Sequence, residues 1–175
     1  MRDLVLIGFI VVVAIALGTF LFFYGPPSIR SDVNQALVSS TASSDSVSIT
    51  ILAQGTNAVS ITNRTNYRIQ NAHDLAALWA LVYGANDTPT PPSVDFTQNE
   101  VLAVFDGSDS TNGYTIKIVS VTDQSSQRLV LVSHSTPATT CQTKNTSTSP
   151  FEIVEVSKTS LSLAHQDQMV TAPCP

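Results

Sequence analysis

Residues 4–24 read LVLIGFIVVVAIALGTFLFFY, one apolar run without a charge, and nothing else in the chain looks like it. A helix rises about 1.5 Å per residue, so the run spans about the 30 Å hydrocarbon core of a bilayer. A segment of this length and hydropathy is expected to cross a membrane, and the rest of the chain must fold beside it in water. A cleaved signal peptide would have a shorter apolar core followed by a small-x-small site. The one such pattern, Ala14-Ile15-Ala16, lies inside the run. Gly8-Phe9 resembles a prepilin processing point, but Val13 stands where that motif needs an acid. The expectation is an uncleaved signal-anchor, a single N-terminal transmembrane helix within residues 1–27. Gly25-Pro26-Pro27 ends it, because proline cannot continue a helix.

Residues 28–46 include SSTASSDS and read as a flexible Ser/Thr-rich stalk. Residues 47–175 then form one small domain. Arg2 and Asp3 before the run, and Arg30 and Asp32 after it, are too few to orient it by the positive-inside rule. The cysteines say more. Cys141 and Cys174 both follow the anchor, and neither has a CxxC or Cys/His metal spacing. An even pair outside the cytosol fits one disulfide; the alternative is two unrelated free thiols. The expected location is the cell membrane, single-pass, with the N-terminus inside and the domain extracytoplasmic. The net charge is −5 with 12% charged residues and no basic cluster. That argues against a nucleic-acid partner and against a polybasic lipid-binding patch. Asn63, Asn86 and Asn145 head Asn-x-Ser/Thr tripeptides, which matter only in a host that glycosylates them.

The domain pattern is α+β. Val47, Ile49 and Ile51 alternate with Ser48 and Thr50, a half-buried strand that Gly55 breaks. Short extended stretches are expected over residues 58–62 and 66–69. Residues 71–83 carry the one helix signal of the domain. Asn71 can cap it, Asp74 suits its first turn, and Gly84 stands at its C-terminal end. Leu75, Leu78, Trp79 and Val82 make one apolar stripe, with Trp79 expected to anchor the helix on a sheet. Val101-Leu102-Ala103-Val104-Phe105 is apolar on both faces and should be a central strand. Residues 114–118 alternate, and the parity then switches to Val119 and Val121, which predicts a bulge or strong twist. Residues 129–132 should form a hairpin with that strand through the turn at residues 123–126. Residues 151–156 and a short last strand over 160–164 complete a mostly antiparallel twisted β-sheet with one amphipathic helix packed on it.

The order of these signals resembles the PrcB family, C-terminal domain (protease complex subunit PrcB). The residues that carry the resemblance are Leu78-Trp79, then Val94-Asp95-Phe96, then the apolar strand from Val101 to Gly107. Thr111-Asn112-Gly113-Tyr114 and Thr148-Ser149-Pro150-Phe151 follow, the latter leading into the strand that ends at Val156. Asn112 stands where the family pattern has Gly; Asn tolerates positive φ better than most residues. The resemblance extends over residues 47–165, nearly all of the domain, and its motifs are structural punctuation. The family's namesake supports the protease of a cell-surface complex. The resemblance therefore implies an envelope-anchored accessory or binding domain, and no more. The expected partner is another envelope protein, with a protease as the candidate that the namesake offers; separately, no enzymatic activity and no cofactor are expected.

The residues offer little catalytic pattern. His73, His134 and His165 lie near no nucleophile motif, and no Gly-x-Ser-x-Gly elbow occurs. Glu152 and Glu155 should fall on opposite faces of one strand and so cannot flank one bond. Residues 106–113 resemble a calcium loop, but their acids recur at every third position and no closing Glu follows. The simplest reading is a polar hairpin turn between two strands. Asp106, Ser108, Asp109, Thr111 and Asn112 are still the candidate partner-binding residues, together with the polar loop over residues 136–149, because function concentrates on exposed loops. No metal-binding or catalytic residue is expected. A rival reading is a small-ligand or carbohydrate-binding envelope sensor, ranked lower because few aromatics lie outside the apolar run.

Overall fold

Strand β4 (Asn99–Phe105) has an apolar face on each side, and the layers of the fold follow from that. Val101, Ala103 and Phe105 pack toward helix α1 (Ala72–Tyr83), while Leu102 and Val104 pack into a second core between two sheets. The computed structural model describes residues 44–86 and 88–174. The expected anchor, and all of the expected stalk before residue 44, lie outside the described residues. Among the described residues, no helix is long and apolar enough to cross a membrane.

The first sheet has the order β2 (Thr50–Gly55), β7 (Phe151–Ser157), β4, β3 (Thr65–Ile69), all antiparallel. The second has the order β1 (Asp45–Val47), β5 (Thr115–Asp123), β6 (Gln127–Pro137), β8 (Ser162–Ala172). The expected class is found, mostly antiparallel β with one helix, but the strands form two sheets where one was expected. The reason lies in β4 and β7. Phe151 and Ile153 face the helix, and Val154 and Val156 face the other way. One helix can cover only one face of such strands, so the other face needs a second sheet.

This division accounts for the other departures. The expected strand over residues 47–52 is cut in two, because the chain passes from one sheet to the other at Ser48-Ile49. Val47 and Ile49 stay between the sheets, whereas Ile51 is 55% exposed and Leu52 packs on the helix side. A register shift between Ile51 and Ala53 accompanies the switch. Residues 58–62 are not a strand. Val59 and Ser60 donate their N–H groups to the carbonyls of Val82 and Leu81, at 2.9 and 3.0 Å, and so satisfy the last turn of the helix. Strand β8 runs to Ala172, far past the short strand expected, and pairs parallel with β6. Its apolar alternation stops early because it is an exposed edge, but its backbone ladder continues.

The local expectations for the helix and the bulge hold. The Asn71 side chain accepts from the Asp74 N–H at 2.9 Å, and Gly84 ends the helix at φ 85°. Leu75, Leu78, Trp79 and Val82 are buried, and the Trp79 ring lies 5.5 Å from that of Tyr83. Beneath the helix, Phe151 stacks on Phe105 with centroids 6.0 Å apart, and Tyr67 meets Phe105 edge-on at 5.7 Å. The β5–β6 register shifts between Ile118 and Ser120, which leaves Val119 exposed and Val121 buried. The turn is closed by the Gln124 N–H on the Gln127 carbonyl.

Cys141 and Cys174 form a disulfide, with Cα atoms 5.2 Å apart. It extends the β6–β8 ladder past its last bond, from the Ala138 N–H to the Ala172 carbonyl. In the chain-entropy model, closing a loop with a sequence separation of 33 residues stabilises by about 3 to 4 kcal/mol. The Cys141→Ser, Cys174→Ser double variant should lose about that much in urea denaturation, with faster amide exchange in β8 than in β7. A loss below about 1 kcal/mol would show that the ladder holds the edge unaided.

Candidate functional site: the loop pole and the cleft between β3 and β8

The two loops singled out in the sequence are fastened to each other. Asp109 and Thr148 exchange both backbone hydrogen bonds, at 2.8 and 3.0 Å. The Asn112 N–H donates to the Lys144 carbonyl, and the Asn112 side chain accepts from the Lys144 N–H at 2.8 Å. The Thr148 hydroxyl donates to the Thr111 carbonyl, and the Ser147 hydroxyl to the Asp109 carbonyl. Ser108 is exposed and donates its N–H to the Thr62 carbonyl. Burial, and then the charge of Asp106, pushes the Asp109 carboxyl up. The segment from β4 to β5 is not the hairpin turn expected. Its strands belong to different sheets, so it is a crossover that needs a second loop for support.

Glycine is required at two places here. Gly107 has φ 92°, and a Cβ there would lie 2.9 Å from the Arg64 nitrogen. Gly113 has φ 101° and sits against Pro137. Asn112 does not have positive φ, so it keeps the turn by its hydrogen bonds to Lys144, not by its tolerance of that region.

Asp106 leaves the loop and joins a polar cluster at the same pole. Its carboxylate lies 2.7 Å from Nδ1 of His134, a buried residue of β6. Arg64 Nε donates to His134 Nε2 at 3.3 Å, so both ring nitrogens have partners. Arg64 Nη2 pairs with Asp167 of β8 at 3.0 Å, and His134 Nε2 lies 3.4 Å from the other Asp167 oxygen. This cluster closes one end of a cleft between the free edges of β3 and β8. The cleft has a volume of about 230 Å³; Leu102, Val104 and Val130 form its floor, and Asn66, Leu163 and His165 lie on its walls.

A second polar network closes the other end. Glu100 is fully buried and accepts from Arg68 Nε at 2.8 Å and Arg128 Nη1 at 3.0 Å, with Gln70 adding a bond at 3.2 Å. Arg128 also grips Asp123 through two bonds, at 2.6 and 2.8 Å. Those bonds hold the Asp123 carboxyl below its usual range and the Arg128 guanidinium above its own. Arg68 donates onward to the Thr159 and Leu161 carbonyls, which fixes the start of β8.

The remaining singled-out residues are structural in placement. The Asp95 carboxylate accepts from the Thr97 N–H and hydroxyl, which lowers its pKa and forms the turn into β4, and Phe96 packs beside the helix core. Trp79, Pro150 and Phe151 are buried, while Tyr114 is half-buried where β5 begins. His73 is exposed on the helix, and His165 is exposed on β8. Glu152 and Glu155 do lie on opposite faces: Glu152 reaches the Ile118 N–H at 2.6 Å between the sheets, and Glu155 accepts from Asn99. Arg64, Arg68, Glu100, Arg128 and Asp167 were not singled out. One signal was available: Arg128 shares parity with Val130 and Val132, which marks it as inward-facing.

Burial pushes the Glu152 carboxyl up, against the Ile118 hydrogen bond and the Lys117 charge. A carboxyl with a raised folded pKa holds its proton longer than in the unfolded chain. Stability therefore falls as pH rises from the ordinary glutamate range through the raised value. Glu152→Gln should flatten that decline in a series of melting curves. A wild-type slope in the variant would show that Glu152 is not its source.

No curated protein and no solved structure matches the chain. Residues 101–157, which run from β4 to β7 through both sheets and the crossover loop, match the family model of the PrcB C-terminal domain.

Proposed function

We propose that the protein is a membrane-anchored, extracytoplasmic accessory domain, not an enzyme, that binds and supports a cell-envelope protease through its loop pole. The observation that carries this reading is the match of residues 101–157 to the PrcB C-terminal family, whose name refers to a protease complex subunit. The geometry supports it. The loop over residues 138–149 is mostly exposed and that over residues 106–114 mostly half-buried, and the two are cross-tied by backbone and side-chain bonds, so little conformational entropy is lost when a partner docks on them. Both ring nitrogens of His134 are engaged by Asp106 and Arg64, and among the described residues no hydroxyl or thiol hydrogen-bonds that ring. The disulfide suits an oxidising compartment, and the apolar run over residues 4–24 suits a tether.

Affinity capture of the tagged full chain from detergent-solubilised native membranes should recover a protease in stoichiometric amount. The Ser108→Arg, Thr143→Arg variant, altered at exposed positions of the two loops whose side chains make none of the cross-ties, should fold normally and lose that protease. Capture unaffected by the variant would place the binding surface elsewhere, and capture of the bait alone would end the stable-complex reading.

The small-ligand reading retains one supporting observation, the cleft between β3 and β8 with its apolar floor and polar rim. Ligand binding there should raise the melting temperature in a screen of sugars and short-chain amphiphiles, and Val104→Trp should abolish the shift. A flat screen would remove this reading.

A further inference from the structure

We infer that strand β8 is a self-association edge, pairing antiparallel with β8 of a second copy about a two-fold axis through Gln166. Among the described residues, the free edge of β8 is the longest, at 11 residues, and its sequence SLAHQDQMVTA carries neither Lys nor Pro, the usual residues that block edge pairing. Met169 is 71% exposed, with Leu163 and Val170 also among the exposed large apolar side chains.

The backbone limits the register. The Ala138 N–H donates to the Ala172 carbonyl, so the polar backbone groups of Ala172 face β6. The β6–β8 register has no break, so Ala164, Gln166, Gln168 and Val170 face β6 in the same way. Leu163, His165, Asp167 and Met169 then direct their N–H and C=O groups to the open edge. An antiparallel partner must pair residues of this second set with each other.

Three central registers meet that condition. An axis through Asp167 sets Asp167 against its own copy, which like-charge repulsion opposes. An axis through His165 sets His165 against its own copy and Leu163 against Asp167. An axis through Gln166 sets His165 against Asp167 and Leu163 against Met169, each twice by symmetry. These pairs lie on the face turned toward β3, where Asp167 is already held by Arg64. Only this register makes every inward pair complementary, charge with imidazole and apolar with apolar. The interface is isologous and closes as a dimer.

The same register sets Gln166 opposite Gln166 on the outer face, at a position without exchanged hydrogen bonds. Facing Cα atoms there lie about 4.5 Å apart, within disulfide reach. Gln166→Cys in the full chain, mildly oxidised in detergent, should give a covalent dimer. Ala164→Cys and Gln168→Cys should not, because each faces the other's position. Met169→Lys, at an exposed site, should raise the dimer dissociation constant at least about tenfold in sedimentation equilibrium. Equal cross-linking of all three cysteine variants, or monomeric Gln166→Cys with a native circular dichroism spectrum, would overturn the inference. So would efficient cross-linking of Asp167→Cys in place of Gln166→Cys, or sedimentation of Met169→Lys identical to that of the parent chain.

Discussion

The carboxylate of Glu100 ties the two sheets together at one pole. It is fully buried, and each of its oxygens is held by an arginine from a different sheet, Arg68 of β3 and Arg128 of β6. Burying one charge is costly, and burying a pair returns the cost only when the hydrogen bonding is complete. Here it is extensive: Arg128 also holds Asp123 and the Ser157 carbonyl, and Arg68 holds two carbonyls of the β7–β8 connection. Removing one member of such a set strands the others, a loss of about 3 to 5 kcal/mol for buried pairs. The start of β8, the end of β5 and the register of β3 all follow from this network.

The opposite pole uses weaker, more exposed chemistry. Asp106, His134, Arg64 and Asp167 link both sheets there, but Arg64 and Asp167 are each partly in solvent. The long crossover between β4 and β5 begins at this pole, and it is stiffened by the loop after β6 instead of by a core. The two poles together hold β3 and β8 apart at a fixed distance. The cleft is what remains between two edges that are bridged at their ends but not paired along their length. The disulfide adds a third restraint, at the far end of β8, so the longest unpaired edge among the described residues is also held firmly in place.

Much of the local structure was legible. The helix, its cap at Asn71, its stripe through Trp79 and its end at Gly84 each depend on residues within a few positions of one another. The bulge after Ile118 was visible as a change of parity, and the apolar character of β4 on both faces marked it as central. The candidate site was legible only in part. Residues 106–112 stand out by composition, but their attachment to Lys144 and Thr148 joins segments more than 30 residues apart in the chain. Arg64, Arg68 and Glu100 read as ordinary surface charges, since burial of a charge depends on what faces it.

The sequence by itself determined the periodicities, the helix, the glycine positions, the split between an apolar run and a polar domain, and the match of residues 101–157 to the PrcB C-terminal family model. These are set by side-chain sterics and hydrophobic spacing along the chain. Only the tertiary structure decided that the strands divide into two sheets and that β8 runs parallel to β6. The same holds for the arginine-bound Glu100 and for the opening of the cleft between two free edges. Each of these depends on which distant segment supplies the covering surface or the opposite charge, and no spacing within one segment carries that information.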